Sequence, residues 1–501
     1  MTPEQFQQFA QQGYNKIPLM RTILADLETP LSAYIKLADG AYSYLFESVQ
    51  GGEKWGRYSI IGLPCEQVIK ITGDQISLQN KGQITKTIQH SAPLDWIREF
   101  ASQFKVPEVA GMPLFSGGLV GYFGYETIHY IEPKVAHTAK PDLIGSPDIL
   151  LMVSTDVLIF DNISNELMII THVDPSDSDS YQKGQAQLDS LVDKLGKTTI
   201  DRHLSSADAL PTKESDFKSG FTQEGFQQAV QTVKDFIVEG DVMQVVLSQR
   251  MTIPYKAPAI NLYRALRSLN PSPYMYHLNL DDTFVVGSSP EILTRLENGE
   301  VTVRPIAGTR PRGATREEDE ALEKELLADP KECAEHLMLI DLGRNDAGRV
   351  STTGSVKLSD KMIIERYSHV MHIVSNVTGE LRPELDAIDV LEATFPAGTV
   401  SGAPKVRAMQ IIDELEPVKR GIYSGAVGYL SWSGNLDTAI AIRTAVIKDG
   451  ELNIQAGAGI VYDSVAENEW AETMNKGRAI FKAVAMAQNG LKGEQQQGTN
   501  K

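Results

Sequence analysis

Three arginines and two glycines fall within ten residues at 304–313, RPIAGTRPRG, in a chain of net charge −18. Arginine presents forked donors that match carboxylates and phosphates, and glycine lets backbone N–H groups approach an anion. The stretch is either an anion site or a turn whose arginines pair with the protein's own acids. Two further stretches carry carboxylates at helical spacing. In ECAEHLMLIDLGRND (332–346), Glu332 and Glu335 lie about 60° apart around a helix that Leu337, Met338, Leu339 and Ile340 draw inward. Carboxylates there need a cation or a proton, and for Glu332 a salt bridge to Arg344 or Lys331 would serve. In AENEWAETMNKGRAI (466–480), Glu469 and Glu472 share a helix face. Taken singly these are surface glutamates. Carboxylates from two helices facing one pocket would suit Mg²⁺, which takes oxygen ligands and keeps several waters. The chain has no HExxH and no Cys/His cluster, so zinc is not expected.

Three other stretches could meet a ligand. IQAGAGIVYDS (454–464) places Gly457, Ala458 and Gly459 at a strand end without side-chain bulk, which would let a carboxylate dock on main-chain N–H groups or simply allow a tight bend. FPAGTVSGAPK (395–405) runs a glycine-containing loop into a helix starting near Ala403-Pro404, with Lys405 at the wrong spacing for a phosphate-loop lysine. His372 stands in a β-branched stretch beside Val370 and Val374, where a histidine is more often a satisfied core residue than a catalytic one.

The elements that must position these residues read as α+β. The chain has 501 residues, 42% hydrophobic and 22% charged, as in an ordinary soluble globular protein. Its acidity argues against nucleic acid as the main partner. Two cysteines, with no CxxC, fit a reducing cytoplasm, and the N-terminus shows no secretion signal. No run is long and apolar enough for a membrane span. The densest, residues 149–160, reads as a buried strand pair or one long strand. A polar stretch at 196–219 predicts a boundary between a region 1–205 and a region 220–490, with a disordered tail at 491–501. Thr222 and Gly240 bracket an amphipathic helix. From Tyr274 onward MYHLNL, FVVGS, ILTRLE and VTVRPI predict a meander, followed by one helix from about Arg316 to Asp341 and a closing helix over about 467–488. GxGxxG after a strand and GxxxxGK[ST] are both missing, against Rossmann and P-loop readings.

In order along the chain, YLFESVQGGEKWGRYSIIG, GDVMQVVLSQR, NPSPYMY, SSPEIL, RPIAGTRPRG, EHLMLIDLGRND, HVMHIVS, FPAGTVSGAPK, GIYSGAVGY, IAIRT, QAGAGIV and ENEWAET resemble the chorismate-utilising enzymes. Within that family they are similar to the large subunits of anthranilate synthases. The resemblance implies antiparallel sheets packed as a sandwich, helices outside, and two intertwined regions. It implies amination of chorismate at C2 with loss of the C4 hydroxyl, then loss of pyruvate to give anthranilate, the first step of tryptophan biosynthesis. Mg²⁺ would be held by Glu335 and Glu472, with Glu332 and Glu469 nearby. Arg443, Tyr423 and the backbone of Gly457, Ala458 and Gly459 would meet the side-chain carboxylate, and Gly308 and Thr309 would line the site. Arg310 and Arg312 would shape that turn and its field. Glu291 is implied as general acid, His372 as the group acting in pyruvate elimination, and Thr399 as a neighbour of the ring.

Two positions choose within the family. Gln244 stands where water-activating relatives carry a lysine, and Ala307 where the aminodeoxychorismate-forming ones carry another. Both absences point to ammonia as nucleophile. Neither cysteine sits in a nucleophile elbow, so the resemblance implies a separate glutamine amidotransferase subunit. Leu45, Glu47 and Ser48, with Pro273, Tyr274 and Met275, match the two halves of the family's tryptophan feedback site, with Phe46 where a second leucine is usual. A non-catalytic amino-acid-binding regulator on the same scaffold is the alternative of a different class.

Overall fold

The computed structural model describes residues 1–49, 56–135, 140–200, 212–367 and 370–491. Among the described residues the strands form two sheets of twelve strands each, with every recorded pairing antiparallel. The first sheet joins Ser43–Glu47 to Tyr274–Asn279, then runs through Thr283–Ser289, Thr444–Lys448, Glu451–Ile460 and Gln244–Pro254. The second joins Gly118–Phe123 to Ala426–Ser431, then runs through Leu436–Ile440, Ile292–Glu297, Glu300–Val303 and Val370–Glu380 to Ile306–Pro311. Each sheet thus mixes strands from both sides of the 196–219 stretch. Residues 201–211 of that stretch, 50–55 of the N-terminal motif and 492–501 of the expected tail lie outside the described residues. No helix among the described residues is long and apolar enough to cross a membrane.

The sheets pack face to face. Tyr44, Tyr276 and Val285 of the first meet Tyr122, Met152 and Val427 of the second in one buried cluster. Helices cover the outer faces. Ala259–Leu269 and Ala466–Gln488 bury Leu262, Leu266, Phe481 and Val484 against Leu45, Met275 and Ile454. Neighbouring strand residues point to opposite faces, so Tyr44 enters one core and Leu45 the other, and both are fully buried. A sheet covered on both sides shows near-continuous apolar runs, as residues 149–160 do. They form two strands, Ile149–Ser154 in the second sheet and Asp156–Asp161 in the first.

Local signals hold where expected. Thr222 Oγ1 accepts from Gly225 N at 3.0 Å, and Gly240 (φ +85°) ends that helix. Asn298 (φ +51°) and Gly299 (φ +83°) form the tight turn before Glu300–Val303. Two expectations fail. The meander is two hairpins, because the chain leaves the first sheet at Ser289 and enters the second at Ile292, across Pro290, which has no N–H to continue a ladder. The single helix is two, Arg316–Ala328 and Pro330–Gly348. Pro330 pushes Asp329 out of helical geometry (φ −75°, ψ 111°), and Asp329 Oδ1 then caps the second helix by accepting from Lys331 N at 3.0 Å.

Candidate active site

The Arg304–Gly313 stretch answers its own question. Arg304 pairs with Glu365. Arg310 reaches Glu325 at 3.0 Å, Asp329 at 2.8 Å and Glu332 at 3.2 Å, and Arg312 reaches Asp319 at 2.6 Å. All three arginines are held by the protein's own acids. Glu332 takes Arg310, while Lys331 goes to Asp463 and Arg344 to Asp341. What sets the stretch apart is the turn itself, which faces His372. The pairing of Ile306–Pro311 with Val370–Glu380 is irregular between Ala307 and Thr309, where Gly308 adopts φ +66°. A Cβ on Gly308 would lie 3.1 Å from Ile373 Cδ1 and 3.2 Å from Glu332 Oε2, so a side chain at this positive φ would be both strained and tightly packed.

The irregularity aims groups at His372. Its Nδ1 lies 3.0 Å from Gly308 O and 3.0 Å from Thr309 Oγ1. A carbonyl can only accept, so Nδ1 carries the proton and Nε2 keeps its lone pair. Burial lowers the imidazole pKa, the Arg443 charge adds to that, and the Gly308 bond opposes it. The ring is neutral at pH 7 and can act as a base.

Glu291 is 4% exposed, in the crossover between the sheets. Burial raises its carboxyl to about 8, against a hydrogen bond donated by Thr399 Oγ1 at 2.7 Å. It is mostly protonated at neutral pH, as a general acid must be. Lys476 also acts on this carboxyl and on those of Glu335 and Glu469. That places the acid and the glutamates around one lysine.

Gln244, 3% exposed, donates through Nε2 to Glu335 Oε1 at 3.2 Å. Burial raises the Glu335 pKa, and the neighbouring charges of Glu332 and Glu472 add to it. Burial and Glu472 likewise raise Glu469. Glu472 pairs with Lys476 at 2.8 Å. The four glutamates therefore share one electrostatic neighbourhood. No three His, Cys, Asp or Glu side chains among the described residues converge closely enough to hold an ion.

On the opposite wall, a Cβ on Gly459 would lie 2.5 Å from Gln244 Nε2, and one on Gly457 2.9 Å from the Tyr423 hydroxyl. The glycines let both side chains close on the strand. Ala458 points away into the helix-side core, leaving only its backbone for the site. Burial raises Tyr423 to about 12, so it is a neutral donor, and Arg420 stacks over its ring at 5.5 Å. Arg443 is half-buried in the left-handed region (φ +52°). Burial lowers its pKa, and its guanidinium has no ion pair or hydrogen bond among the described residues. An arginine held without an anion is a ready receptor for one.

Sequence reasoning missed Lys476, whose Nζ donates to Gly457 O at 2.9 Å. One helical turn from Glu472, it resembles an ordinary surface pair, and only the fold carries it to the glycine strand.

A second cavity, about 260 Å³, lies between the sheets. Ser48, Pro273, Tyr274 and Met275 line it, and so does Phe46. Glu47 lines it too, but its carboxylate turns to the other face, accepting from Tyr263 and from Arg267 at 2.9 and 3.0 Å. Leu45, on that same face, is buried among the helices. Arg295, Asp437 and the Tyr274 hydroxyl add an unforeseen polar corner, with Arg295–Asp437 at 2.8 Å and Tyr274–Asp437 at 2.9 Å.

Residues 44–482 match the family described as chorismate binding enzyme. The chain is 58% identical over 491 residues to a Pseudomonas aeruginosa protein named anthranilate synthase component 1, covering 98% of this chain and 100% of that one. It is 49% identical to the protein of the same name from Aquifex aeolicus, covering 95% and 96%. The crystal structure of anthranilate synthase component I from Streptococcus pneumoniae superposes with a TM-score of 0.76 at 38% identity, covering 92% of this chain and 99% of that one. The menaquinone-specific isochorismate synthase of Escherichia coli shares the fold, with a TM-score of 0.69 at 19% identity and coverage of 96% and 98%.

Proposed function

The chain belongs to the chorismate binding enzyme family, and from that premise we propose that it is the subunit that aminates chorismate at C2 and releases pyruvate to give anthranilate. Glu291, buried in the crossover with Thr399 Oγ1 donating to it at 2.7 Å, is the observation that carries this reading, because hydroxide is a poor leaving group and needs a proton, which burial favours on this carboxyl. Glu291 delivers that proton to the departing C4 hydroxyl as ammonia bonds to C2. The nitrogen, now bonded to C2, returns a proton to the Glu291 carboxylate. His372 Nε2 then takes the proton from C2, the C3–O bond breaks as the ring becomes aromatic, and the imidazolium gives its proton to the methylene carbon of the leaving enolpyruvate, which departs as pyruvate. Arg443 and the Tyr423 hydroxyl hold the side-chain carboxylate, beside the backbone of Gly457 to Gly459. Gln244 and Ala307 offer no amine or base to compete with ammonia.

A site of two carboxylates would suit Mg²⁺, which takes its remaining oxygens from water and substrate. Glu332, Glu335, Glu469 and Glu472 crowd negative charge onto one region, and Glu335 and Glu469 are raised by burial and by their neighbours. Glu335 and Glu472 would hold the ion, with Glu332 and Glu469 beside it. When bound it would fix the ring carboxylate and make C2 more electrophilic. Ammonia would come from a separate glutamine amidotransferase subunit. Tryptophan would occupy the cavity at Phe46, Ser48 and Pro273 to Met275 as feedback inhibitor, its indole among the apolar side chains and its charged end at the polar corner.

The test is a fluorescence assay of the purified chain with chorismate, Mg²⁺ and either ammonium or glutamine, with and without tryptophan. Anthranilate from ammonium but not from glutamine, suppressed by tryptophan, is the expected result. Isochorismate or salicylate would overturn the role given to Gln244, and aminodeoxychorismate that given to Ala307. Untouched chorismate would favour a non-catalytic regulator.

A further inference from the structure

The cavity and the substrate arginine are one residue apart. Ser288 is fully buried in Thr283–Ser289, opposite Met275 of the cavity wall. Its hydroxyl donates to Asn270 O at 2.5 Å and accepts from Asn270 Nδ2 at 3.0 Å, with Ser272 Oγ 2.7 Å away. Ser272 O in turn accepts from Val49 N at 3.2 Å, beside Ser48. The side chain therefore belongs to the loop that leads into Pro273 and Tyr274. The backbone belongs to the active site, since Ser288 N donates to Arg443 O at 3.1 Å.

A second link runs parallel. Tyr276, which also lines the cavity, bonds Thr444 Oγ1 at 2.5 Å, and Thr444 donates to Ile442 O at 2.9 Å, so the Tyr276 hydroxyl is the donor to Thr444. Ile442 and Thr444 flank Arg443. A non-glycine residue at φ +52° persists only while its surroundings hold it there. Here the holding groups reach in from the cavity.

We propose that Ser288, with the Tyr276–Thr444 pair, is the positioning device through which the cavity's occupant sets the conformation of Arg443 and hence the affinity for the anionic substrate. The proposal rests on the reading of the cavity as a tryptophan site. An occupant that shifts the Asn270–Tyr274 loop alters the Ser288 bonds, and the Arg443 backbone follows. Arg443 holds a carboxylate away from C2 and C4, the atoms that react in the amination, equally in the ground and transition states of that step. The effect therefore falls on KM and leaves kcat nearly unchanged. Coupling of this kind is reciprocal, so chorismate must weaken tryptophan binding by the same factor.

The test uses the full chain, with Ser288→Ala and Thr444→Val. Calorimetry measures tryptophan binding with and without chorismate, in the absence of any ammonia source. Steady-state assays with ammonium measure chorismate KM against tryptophan concentration. In the parent chain, saturating tryptophan should raise KM about tenfold or more. Ser288→Ala should still bind tryptophan within about threefold of the parent, while the KM rise collapses below about twofold and the calorimetric coupling vanishes with it. Thr444→Val should lose part of the coupling, and it carries the test if Ser288→Ala does not fold. Full coupling in both variants overturns the device while leaving the cavity reading intact. No tryptophan binding to the parent chain removes the cavity reading, and the device with it.

Discussion

Glu291→Gln should separate stability from activity in opposite directions. The Glu291 carboxyl is raised from 4.5 to about 8, chiefly by burial. A carboxyl raised in the fold contributes its stability in the protonated state. That contribution is complete below pH 4.5 and is lost as pH climbs through the window to about 8. The loss is about 1.4 kcal/mol per pH unit, on the order of 5 kcal/mol across the window. Glutamine has the same shape, can still accept from Thr399 Oγ1 and never ionises. The variant should therefore match the parent near pH 4.5, gain on it progressively toward pH 8 and hold that gain above it in urea unfolding. Activity should move the other way. Without a transferable proton the chemical step should fall by about 10²–10⁴-fold. The alkaline limb of kcat/KM, set in the parent near the Glu291 value of about 8, should disappear. A stability difference independent of pH would refute the buried-acid argument. An alkaline limb that survives in Glu291→Gln would refute its role as proton donor.

Arg443→Ala should raise chorismate KM by about 10–100-fold with kcat little changed, since a charge-assisted hydrogen bond is worth roughly 1.5–3 kcal/mol; an unchanged KM would show the carboxylate bound elsewhere. His372→Asn should lower kcat by about 10²–10⁴-fold and let the aminated, pyruvate-bearing intermediate build up in product analysis. It should also flatten the acidic limb, because the parent imidazole must be neutral and burial holds its pKa below the usual 6.5. His277 is lowered to about 4 among the rings of Tyr34, Tyr263 and Phe284. A lowered histidine contributes stability above pH 6.5 that is lost as pH falls toward 4, on the order of 3 kcal/mol, so His277→Phe should shift acid unfolding, followed by circular dichroism, to lower pH.

The stretches that meet in the candidate site were legible because they are short local patterns. Thr222 and Gly240 mark a helix through their own backbone geometry, and Asn298-Gly299 marks a turn in the same way. The meander failed for a reason of the same physics. Strands buried on both faces lose the alternation that would tell one sheet from the other, so Ser289 and Ile292 read as neighbours in one sheet when they belong to two. Pairings across sequence distance were invisible for a deeper reason. Arg310 and Arg312 look like an anion site until the acids of 319–332 fold back on them, and nothing local announces that Gly308 will bulge opposite His372. Lys476 was missed because its environment is made by a strand it does not touch in sequence.

These cases share a cause that bears on how the site works. The residues in the site are joined by backbone as much as by side chains: Gly308 O fixes the His372 tautomer, Gly457 O holds Lys476, and Arg443 O is held by Ser288 N. Backbone groups carry no residue identity, so sequence cannot display them. They are nonetheless the groups that move least when a side chain changes. The irregular strand pairing at Gly308 is therefore set by its sheet as a whole. Glu291 and His372 can keep their mutual geometry on such a frame, while Arg443, reached by Ser288 N and flanked by Thr444, is the group that on our proposal answers to an occupant of the cavity.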